Sequence, residues 1–352
     1  MKIEEYFPIE INESNVSERL DALLSKIIHD YSRSKWTALI EKGWVRVNQK
    51  DVKPSYRLKL GDKVSWFGEH EVNPIEAFLK GEISFHGRAP EIIFEDDRLL
   101  VINKPEGLTV HSGKGVPFDQ TLAAWLLKEK KVSPLIEDWQ KDLWDEERPG
   151  IVHRLDRGTS GALLVAKDPQ THEKLSKLFL TRDVNRCYWA LVRGDFNQAI
   201  QKRSKSLEEL FRGSLAAIKQ NEEGMVSLVT FLSRDPKQVL RFRVSGEGKK
   251  AISHMHLLCQ GVDEALLELK LETGRTHQIR VHLSSLGIPI LGDTLYGGMD
   301  ADRIYLHAHS LRFKHPWTGE EMSFKARSQS FEAYCKIKRL SLSSKFERPS
   351  ED

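Results

Sequence analysis

Cysteine is scarce: Cys187, Cys259 and Cys335 are the only three among 352 residues, and no two share a C-x-x-C spacing. This excludes a disulfide-stapled scaffold and a cysteine zinc site, and it fits a reducing compartment. Long apolar runs are missing too. Residues 161–166 form one of the longest, far short of the ~18 that a membrane helix needs. Residues 1–12 carry three acidic side chains where a signal peptide would be apolar. No membrane partner is expected, and a cytoplasmic location is. No G-x-G-x-x-G or Walker loop stands at a strand-to-helix junction, so neither ATP nor NAD is expected. Nor is there an internal repeat. A strong net charge is also lacking, with 54 Lys and Arg against 51 Asp and Glu.

What is present points to about two folded domains, since 39% of the residues are hydrophobic and domains commonly run to ~150 residues. The basicity is local. Residues 17–66 hold eleven Lys/Arg and six Asp/Glu, an excess of five, which leaves the remainder of a +3 chain at −2. Such an excess is either a polyanion footprint or a solvated helix face. Leu20, Leu23, Leu24, Ile27 and Ile28 recur at helical spacing after a possible Ser17 cap, and Ala38, Leu39 and Ile40 follow a second start at Ser32 or Ser34. Gly43 stops the second helix, Trp44, Val45 and Val47 alternate as a strand, Asn48 opens a turn, and Leu58, Leu60 and Val64 suggest a return strand. Arg33 and Lys35 at the start of the second helix, with Lys42 and Arg46 near its end, could hold a phosphate backbone without reading bases.

This compact ααβ-type unit resembles the αL-type RNA-binding module first known from a small-subunit ribosomal protein. The resemblance rests on Arg19-Leu20-Asp21, Ser32-Arg33-Ser34, Ile40 with Gly43, Val45-Arg46-Val47-Asn48 and Leu60-Gly61-Asp62-Lys63-Val64. Gln49 departs from the Gly usual in that family, which implies a longer turn or a different type. The bland alternative is a helical cap with a hairpin that packs on its neighbour.

Beyond it, residues 91–103, 161–167, 188–192, 226–231, 239–244 and 265–271 have strand-like content, and helical patterns fall near 121–130, 170–180 and 276–286. The expected fold class is α+β: the small ααβ-type module plus a larger domain on a mixed, mostly antiparallel sheet with flanking helices. The expected boundaries are 1–75 for the module, 76–90 for a linker, 91–330 for the larger domain and 331–352 for a C-terminal extension. The polar, Ser-rich residues 340–352 are expected to fray.

The segment richest in chemistry is His153-Arg154-Leu155-Asp156-Arg157-Gly158-Thr159-Ser160-Gly161. Glycines and small hydroxyls around the charges indicate a tight loop at a sheet edge, presenting a side chain into a cleft. Asp156 between cations should stay ionised even when partly desolvated, ready to act as nucleophile or base. The alternative is a plain salt bridge to Arg157. Downstream, Thr273-Gly274-Arg275-Thr276-His277-Gln278-Ile279-Arg280-Val281-His282 closes a strand and opens a helix, with Thr276 as cap, Ile279, Leu283 and Leu286 as buried stripe, and Arg275 free to project into a cleft. His277, His282, His307 and His309 invite a metal reading. No acidic third ligand is spaced with them, and no metal is expected.

Taken together, these segments resemble the RluA-like family of pseudouridine synthases over nearly all of residues 17–326. His153 to Gly161 carry the resemblance. Further matches are Val101-Ile102-Asn103-Lys104-Pro105-Glu106-Gly107-Leu108-Thr109-Val110-His111, Tyr188-Trp189-Ala190-Leu191-Val192-Arg193-Gly194, the run from Thr273 to Leu283, Gly292-Asp293 with Tyr296-Gly297, and Leu306-His307-Ala308. The resemblance implies that Asp156 is the catalytic aspartate, Arg275 its ion-pair partner, and Tyr188 the ring that packs against the target base. Arg154 would enter the RNA stack where the uridine leaves, and Arg157, Lys104 and His277 are read with it as RNA contacts. Arg186 stands where the family often has Lys, which puts the local geometry in doubt. Residues 132–147 and 198–223 look like variable insertions. Uridine isomerisation oxidises nothing and spends no phosphate, so no cofactor is expected. Ribosomal RNA and a monomer are the expected partner and state. The rival readings are a non-catalytic RNA-binding or ribosome-assembly factor on the same fold, and a metal-dependent nuclease using the histidines.

Overall fold

The computed structural model describes residues 4–28, 31–41, 43–68, 81, 84–113, 116–132, 148–210, 217–221, 224–338 and 340. The chain divides into two compact units, Met1–Ala77 and Phe78–Asp352. Of the linker expected at 76–90, residues 81 and 84–90 are described. Residues 133–147 of the first expected insertion lie outside the described residues, as do residues 211–216 and 222–223 of the second and all of 341–352.

In the first unit, helices α1 (Leu20–Ile27) and α2 (Arg33–Glu41) lie with a four-stranded sheet of order β1-β4-β2-β3, made of β1 (Glu4–Glu10), β2 (Val45–Val47), β3 (Lys50–Asp51) and β4 (Lys63–Gly68). The apolar positions of both helices face one core: Leu20, Leu23, Leu24, Trp36 and Ile40 pack with Val45, Val47, Leu58 and Val64. Strand β1 is an addition to the expected unit. Ser17 does not cap α1; its φ is +69° and the N-cap is Arg19, without a side-chain bond. Ser32 does serve α2, its hydroxyl accepting from the Lys35 N–H at 3.4 Å. The return strand starts only at Lys63, because the Asp62 carboxylate holds the preceding loop through the Lys59 N–H (2.8 Å) and the Tyr56 hydroxyl (3.1 Å).

The turn at Gln49 has a clear form. Val47 pairs with Lys50, so the loop is the two residues Asn48 and Gln49, at φ +51° and +64°. Two successive left-handed residues match the twist of a tight hairpin, and Asn tolerates the first place. The Asn48 side chain stitches the turn to the return strand, accepting from Lys63 N–H (2.9 Å) and donating to Asp62 (2.8 Å). The turn is therefore short, although Gln occupies a place better suited to Gly.

The second unit is built on an eleven-stranded sheet. Its strands are β5 (Glu91–Glu95), β6 (Leu99–Lys104), β7 (Ser160–Ala166), β8 (Asn185–Arg193), β9 (Ala217–Gln220), β10 (Val226–Arg234), β11 (Phe242–Ser245), β12 (Lys249–Gln260), β13 (Glu264–Leu271), β14 (Leu306–Lys314) and β15 (Glu321–Lys325). The order is β11-β10-β12-β13-β8-β14-β7-β6-β5, with β9 on β10 and β15 on β14. Of these pairings the β7–β14 contact is parallel and the others are antiparallel. The flanking helices are α3 (Leu122–Lys128), α4 (Pro169–Thr181), α5 (Phe196–Leu210), α6 (Gln278–Ser285) and α7 (Gln329–Ile337). Thr121, Asp168 and Ser328 cap α3, α4 and α7 by accepting backbone N–H bonds.

Several boundaries differ from expectation for identifiable reasons. The strand-like stretch 91–103 is a hairpin, turned where Asp96 accepts from the Arg98 and Leu99 N–H groups (2.7 and 2.8 Å). Part of the second expected insertion is α5 and β9, and β9 pairs along β10. The expected C-terminal extension begins inside α7, whose Phe331 and Cys335 are buried, and Leu340 is buried too. Every residue of β7 is buried, as befits a strand covered on both faces. Gly161 permits its parallel contact: φ is +117° and a Cβ there would overlap the Ala308 carbonyl.

Candidate active site

Strand β7 is entered through the loop that carries Asp156, and three internal ties hold that loop. His153 Nε2 accepts the Leu164 N–H at 2.9 Å while its ring stacks on Phe179 at 4.5 Å. Burial, helped by nearby Arg186, pulls its pKa down to about 3, so it is a neutral peg. Arg157 turns away to bond the Gly107 carbonyl at 3.1 Å, and Gly107 N–H returns a bond to the Arg157 carbonyl at 2.8 Å. The third tie is Lys104. Its ammonium is fully buried and donates to the carbonyls of Leu108 (2.8 Å), Pro105 (2.9 Å) and Arg157 (3.4 Å).

This overturns one expectation. Lys104 has no surface to offer RNA; it welds the 105–108 turn to the loop of Asp156. Arg157 is exposed but spends its Nε on that same turn, and it does not line the pocket described next. Nor does Asp156 form the plain salt bridge to Arg157 weighed as its alternative. Its partner comes from α6.

Asp156 faces a pocket of about 490 Å³ that is also lined by Tyr188, Arg154, Arg275, His277 and Arg280. The volume suits one small ligand moiety. The ion-pair partner of Asp156 is Arg280, Nη1 to Oδ2 at 3.4 Å, and not Arg275. Arg275 is exposed on the pocket rim, where its Nε donates to the Lys250 carbonyl at 3.1 Å. The reason lies in the start of α6. Thr276 is not its cap; the N-cap is His277, at φ +56°, and the Gln278 side chain gathers the turn by accepting from Arg275 N–H (3.1 Å) and the Thr273 hydroxyl (2.7 Å). Helix begins later than expected, so Arg280 lies in its first turn, buried with Ile279 and Leu283.

Arg280 is clamped from the other side by Asp293, Nε to Oδ2 at 2.7 Å and Nη2 to Oδ1 at 2.8 Å. Burial disfavours the guanidinium, but Asp293 and Asp156 outweigh it and hold its pKa above the ordinary value. Its plane sits over the Tyr296 ring at 4.9 Å. Asp293 and Tyr296 were visible in the sequence only as matched motif residues without a role. Arg280 carried a usable signal: it stands three residues before Leu283, on the face that a short buried helix turns inward.

Tyr188 lies on β8, opposite Leu269 of β13 and Ala308 of β14, and is nearly fully buried as a pocket wall. Burial raises its phenol pKa; Arg186 opposes and Asp156 adds to the rise, so the hydroxyl keeps its proton at neutral pH. Arg154 is exposed on the pocket, its Nη1 3.3 Å from His111 Nε2. Arg186 does keep a charge at the position in doubt: it lines the pocket and its guanidinium sits 5.5 Å from the Phe179 ring centre. With Arg182, five guanidinium groups line this cavity against the carboxylates of Asp156 and Glu272. Such a field favours a phosphate-bearing ligand.

The histidines weighed as metal ligands have other partners. His282 lies between the Thr230 and Ser253 hydroxyls, His307 between Ser160 and the Ala326 carbonyl, and His309 stacks on Trp189 at 3.6 Å. His277 meets Tyr296. Among the described residues no three His, Cys, Asp or Glu side chains converge as a metal site. In the first unit Arg33 pairs with Asp21 (3.1 Å), Arg46 with Asp51 (3.0 Å), and Lys35 sits 5.9 Å from the Tyr31 ring centre, all three at the surface or partly so. Lys42 lies outside the described residues.

Comparison with known proteins matches each of the two units to a family. Residues 98–285 match the family described as RNA pseudouridylate synthase, and residues 18–64 match the S4 domain. The chain is 34% identical over 321 residues to the uncharacterized RNA pseudouridine synthase YlyB of Bacillus subtilis, covering 90% of this chain and 93% of that one. It is 32% identical to the ribosomal large subunit pseudouridine synthase C of Buchnera aphidicola (89% and 91% covered) and 32% to the ribosomal large subunit pseudouridine synthase D of Vibrio cholerae (90% and 89%). A half-buried carboxylate paired with a buried guanidinium beside a tyrosine wall sits on a chain aligned with these enzymes over most of its length, and that alignment places it: the protein belongs to the RNA pseudouridylate synthase family and carries an S4 domain.

Proposed function

We propose that this enzyme isomerises uridines of large-subunit ribosomal RNA, with Asp156 as the reacting carboxylate. The observation that carries the assignment is the convergence of Asp156, Arg280 and Tyr188 on one pocket. The reaction breaks the bond between ribose C1′ and uracil N1 and forms one from C1′ to C5; C5 gives up a proton and N1 gains one. It therefore needs an ionised carboxylate, a fixed counter-charge and a wall that keeps the detached base in place. Arg280 supplies the charge and Tyr188 the wall. A uridine in an RNA stack must be extruded to reach them, and Arg154 at the pocket mouth is placed to fill the gap. Arg275, Arg182 and Arg186 hold flanking phosphates.

Ribosomal RNA as the substrate rests on the relatives named for the large subunit and on the S4 domain, whose Arg33, Lys35 and Arg46 offer cations to a phosphate backbone. One chain acting alone, in the cytoplasm where ribosomes are built, completes the reading; the second unit supplies every pocket residue. Pseudouridine mapping of ribosomal RNA from cells with and without the gene tests the substrate, and at least one site should vanish. Asp156→Asn should abolish tritium release from uracil-labelled RNA while RNA binding persists. Full turnover by that variant would refute the assignment.

A further inference from the structure

A second group reaches the catalytic carboxylate, and the assigned chemistry leaves it unused. His277 Nε2 lies 3.9 Å from Asp156 Oδ2, the same oxygen that Arg280 approaches at 3.4 Å. The other ring nitrogen, Nδ1, is 2.8 Å from the Tyr296 hydroxyl oxygen. His277 is held at φ +56°, a conformation costly for a residue other than glycine and one that persists where its surroundings enforce it.

The hydrogen-bond network assigns the tautomer. The Phe242 backbone N–H donates to the Tyr296 oxygen at 2.9 Å and cannot accept. Arg241 and Arg280, whose guanidinium groups sit 5.3 and 4.9 Å from the Tyr296 ring centre, carry no acceptor either. The phenolic proton thus goes to the neighbour that can take it, His277 Nδ1. An imidazole that accepts at Nδ1 carries its own proton on Nε2 when neutral. Neutrality is favoured, because burial lowers the His277 pKa; Asp156 and Asp293 oppose that, while Arg280 and Arg154 add to it. The N–H therefore points toward Asp156, across a gap too wide for a direct hydrogen bond. An oxygen of a nucleoside docked against the carboxylate falls within reach of it.

We propose that His277 is a substrate-touching residue: its Nε2–H, fixed in that tautomer by Tyr296, donates a hydrogen bond to an oxygen of the target uridine seated against Asp156. Tyr296 is then a positioning residue, acting through the imidazole. The acceptor is either the ribose 2′-hydroxyl or a uracil carbonyl. The inference rests on Asp156 as the reacting carboxylate, and the two fail separately. An active Asp156→Asn enzyme sinks the assignment of the site; an inactive one beside a fully active His277→Ala enzyme sinks only the role of His277.

The test has two readouts on the full-length enzyme, with melting curves to confirm folding of each variant. Nitrogen NMR of histidine-labelled protein should show a protonated Nε2 and an unprotonated Nδ1 for His277, and Tyr296→Phe should relax this toward a mixture. An Nδ1-protonated ring in the wild type overturns the proposal. In kinetics on the RNA identified by mapping, His277→Ala should lower kcat by about 10- to 100-fold, the range for loss of one oriented donor. His277→Gln, which keeps an N–H near the Nε2 position, should recover part of the loss. RNAs carrying 2′-deoxyuridine, 2-thiouridine or 4-thiouridine at the target locate the acceptor by binding. The analogue lacking the relevant oxygen should make wild type and His277→Ala bind alike, a non-additive cycle. Additive losses with all three analogues overturn the proposal.

Discussion

Replacing Asp293 by Asn tests how the Asp156–Arg280 pair is held. Asp293 is fully buried and takes two of the Arg280 nitrogens at 2.7 and 2.8 Å, while the third meets Asp156 at the longer 3.4 Å. Removing one member of a buried pair commonly costs ~3–5 kcal/mol, because the remaining charge stays desolvated. Asn keeps one acceptor and Asp156 keeps its contact, so the loss falls at or just below the lower end, roughly 2–3 kcal/mol. For a domain of this size that corresponds to a fall in Tm on the order of 5–10 °C. Activity should suffer more than stability implies. A guanidinium released from its clamp is free to shift by about an ångström, and displacement on that scale costs on the order of 100-fold in rate. Tritium release under single-turnover conditions should show kcat falling about 10- to 100-fold with KM little changed, since Asp293 does not line the pocket. Pairing Asp293→Leu with Arg280→Met should restore melting, as apolar replacement of a buried pair often does, and leave the enzyme inactive. A variant Asp293→Asn with wild-type kcat and Tm would refute the reasoning.

Other outcomes follow from the same geometry. Arg275→Ala should weaken RNA binding several-fold and keep kcat, whereas Arg280→Ala should lose kcat; single-turnover titrations with RNA separate the two, and the reverse pattern would restore Arg275 as the partner of Asp156. Lys104 titrates near 7 in the folded chain because burial disfavours its ammonium, against a usual 10.5. The unfolded chain thus binds more protons between those values, and the stability this group contributes should rise with pH from about 7 to about 10.5, by on the order of 5 kcal/mol in full. Lys104→Met should flatten that rise in denaturant midpoints measured across this window. Gln49→Gly should raise the stability of the first unit by about 1 kcal/mol, because Gln49 sits at φ +64°, where glycine carries no Cβ penalty. An unchanged or lowered melting temperature of that unit would count against the turn as described.

In the proposed reaction the two kinds of charge in the pocket would serve different steps. Arg280 is buried and doubly anchored, so its position is fixed before substrate arrives and little reorganisation accompanies the reaction. Arg154 and Arg275 are exposed at the mouth and keep the freedom to follow a phosphate backbone. RNA affinity should therefore fall with salt while the rate of the bound complex changes little.

The amino-acid sequence alone determined the helical stripes of the first unit, the presence of a turn at Asn48, the alternation of strands and helices, and the loop that offers Asp156. Each of these depends on neighbours within a few residues, where periodicity and backbone preference act. It could not determine which cation meets Asp156. A helix turns by about 100° per residue, so moving the start of α6 from Thr276 to His277 redirects every side chain of its first turn, and the Gln278 bonds that fix this start join groups brought together by strand β12. Lys104 likewise reads as a surface cation until three carbonyls from two loops close around it. Tertiary structure decided these points, because a buried charge takes its partner from whatever the fold places beside it, at any distance along the chain.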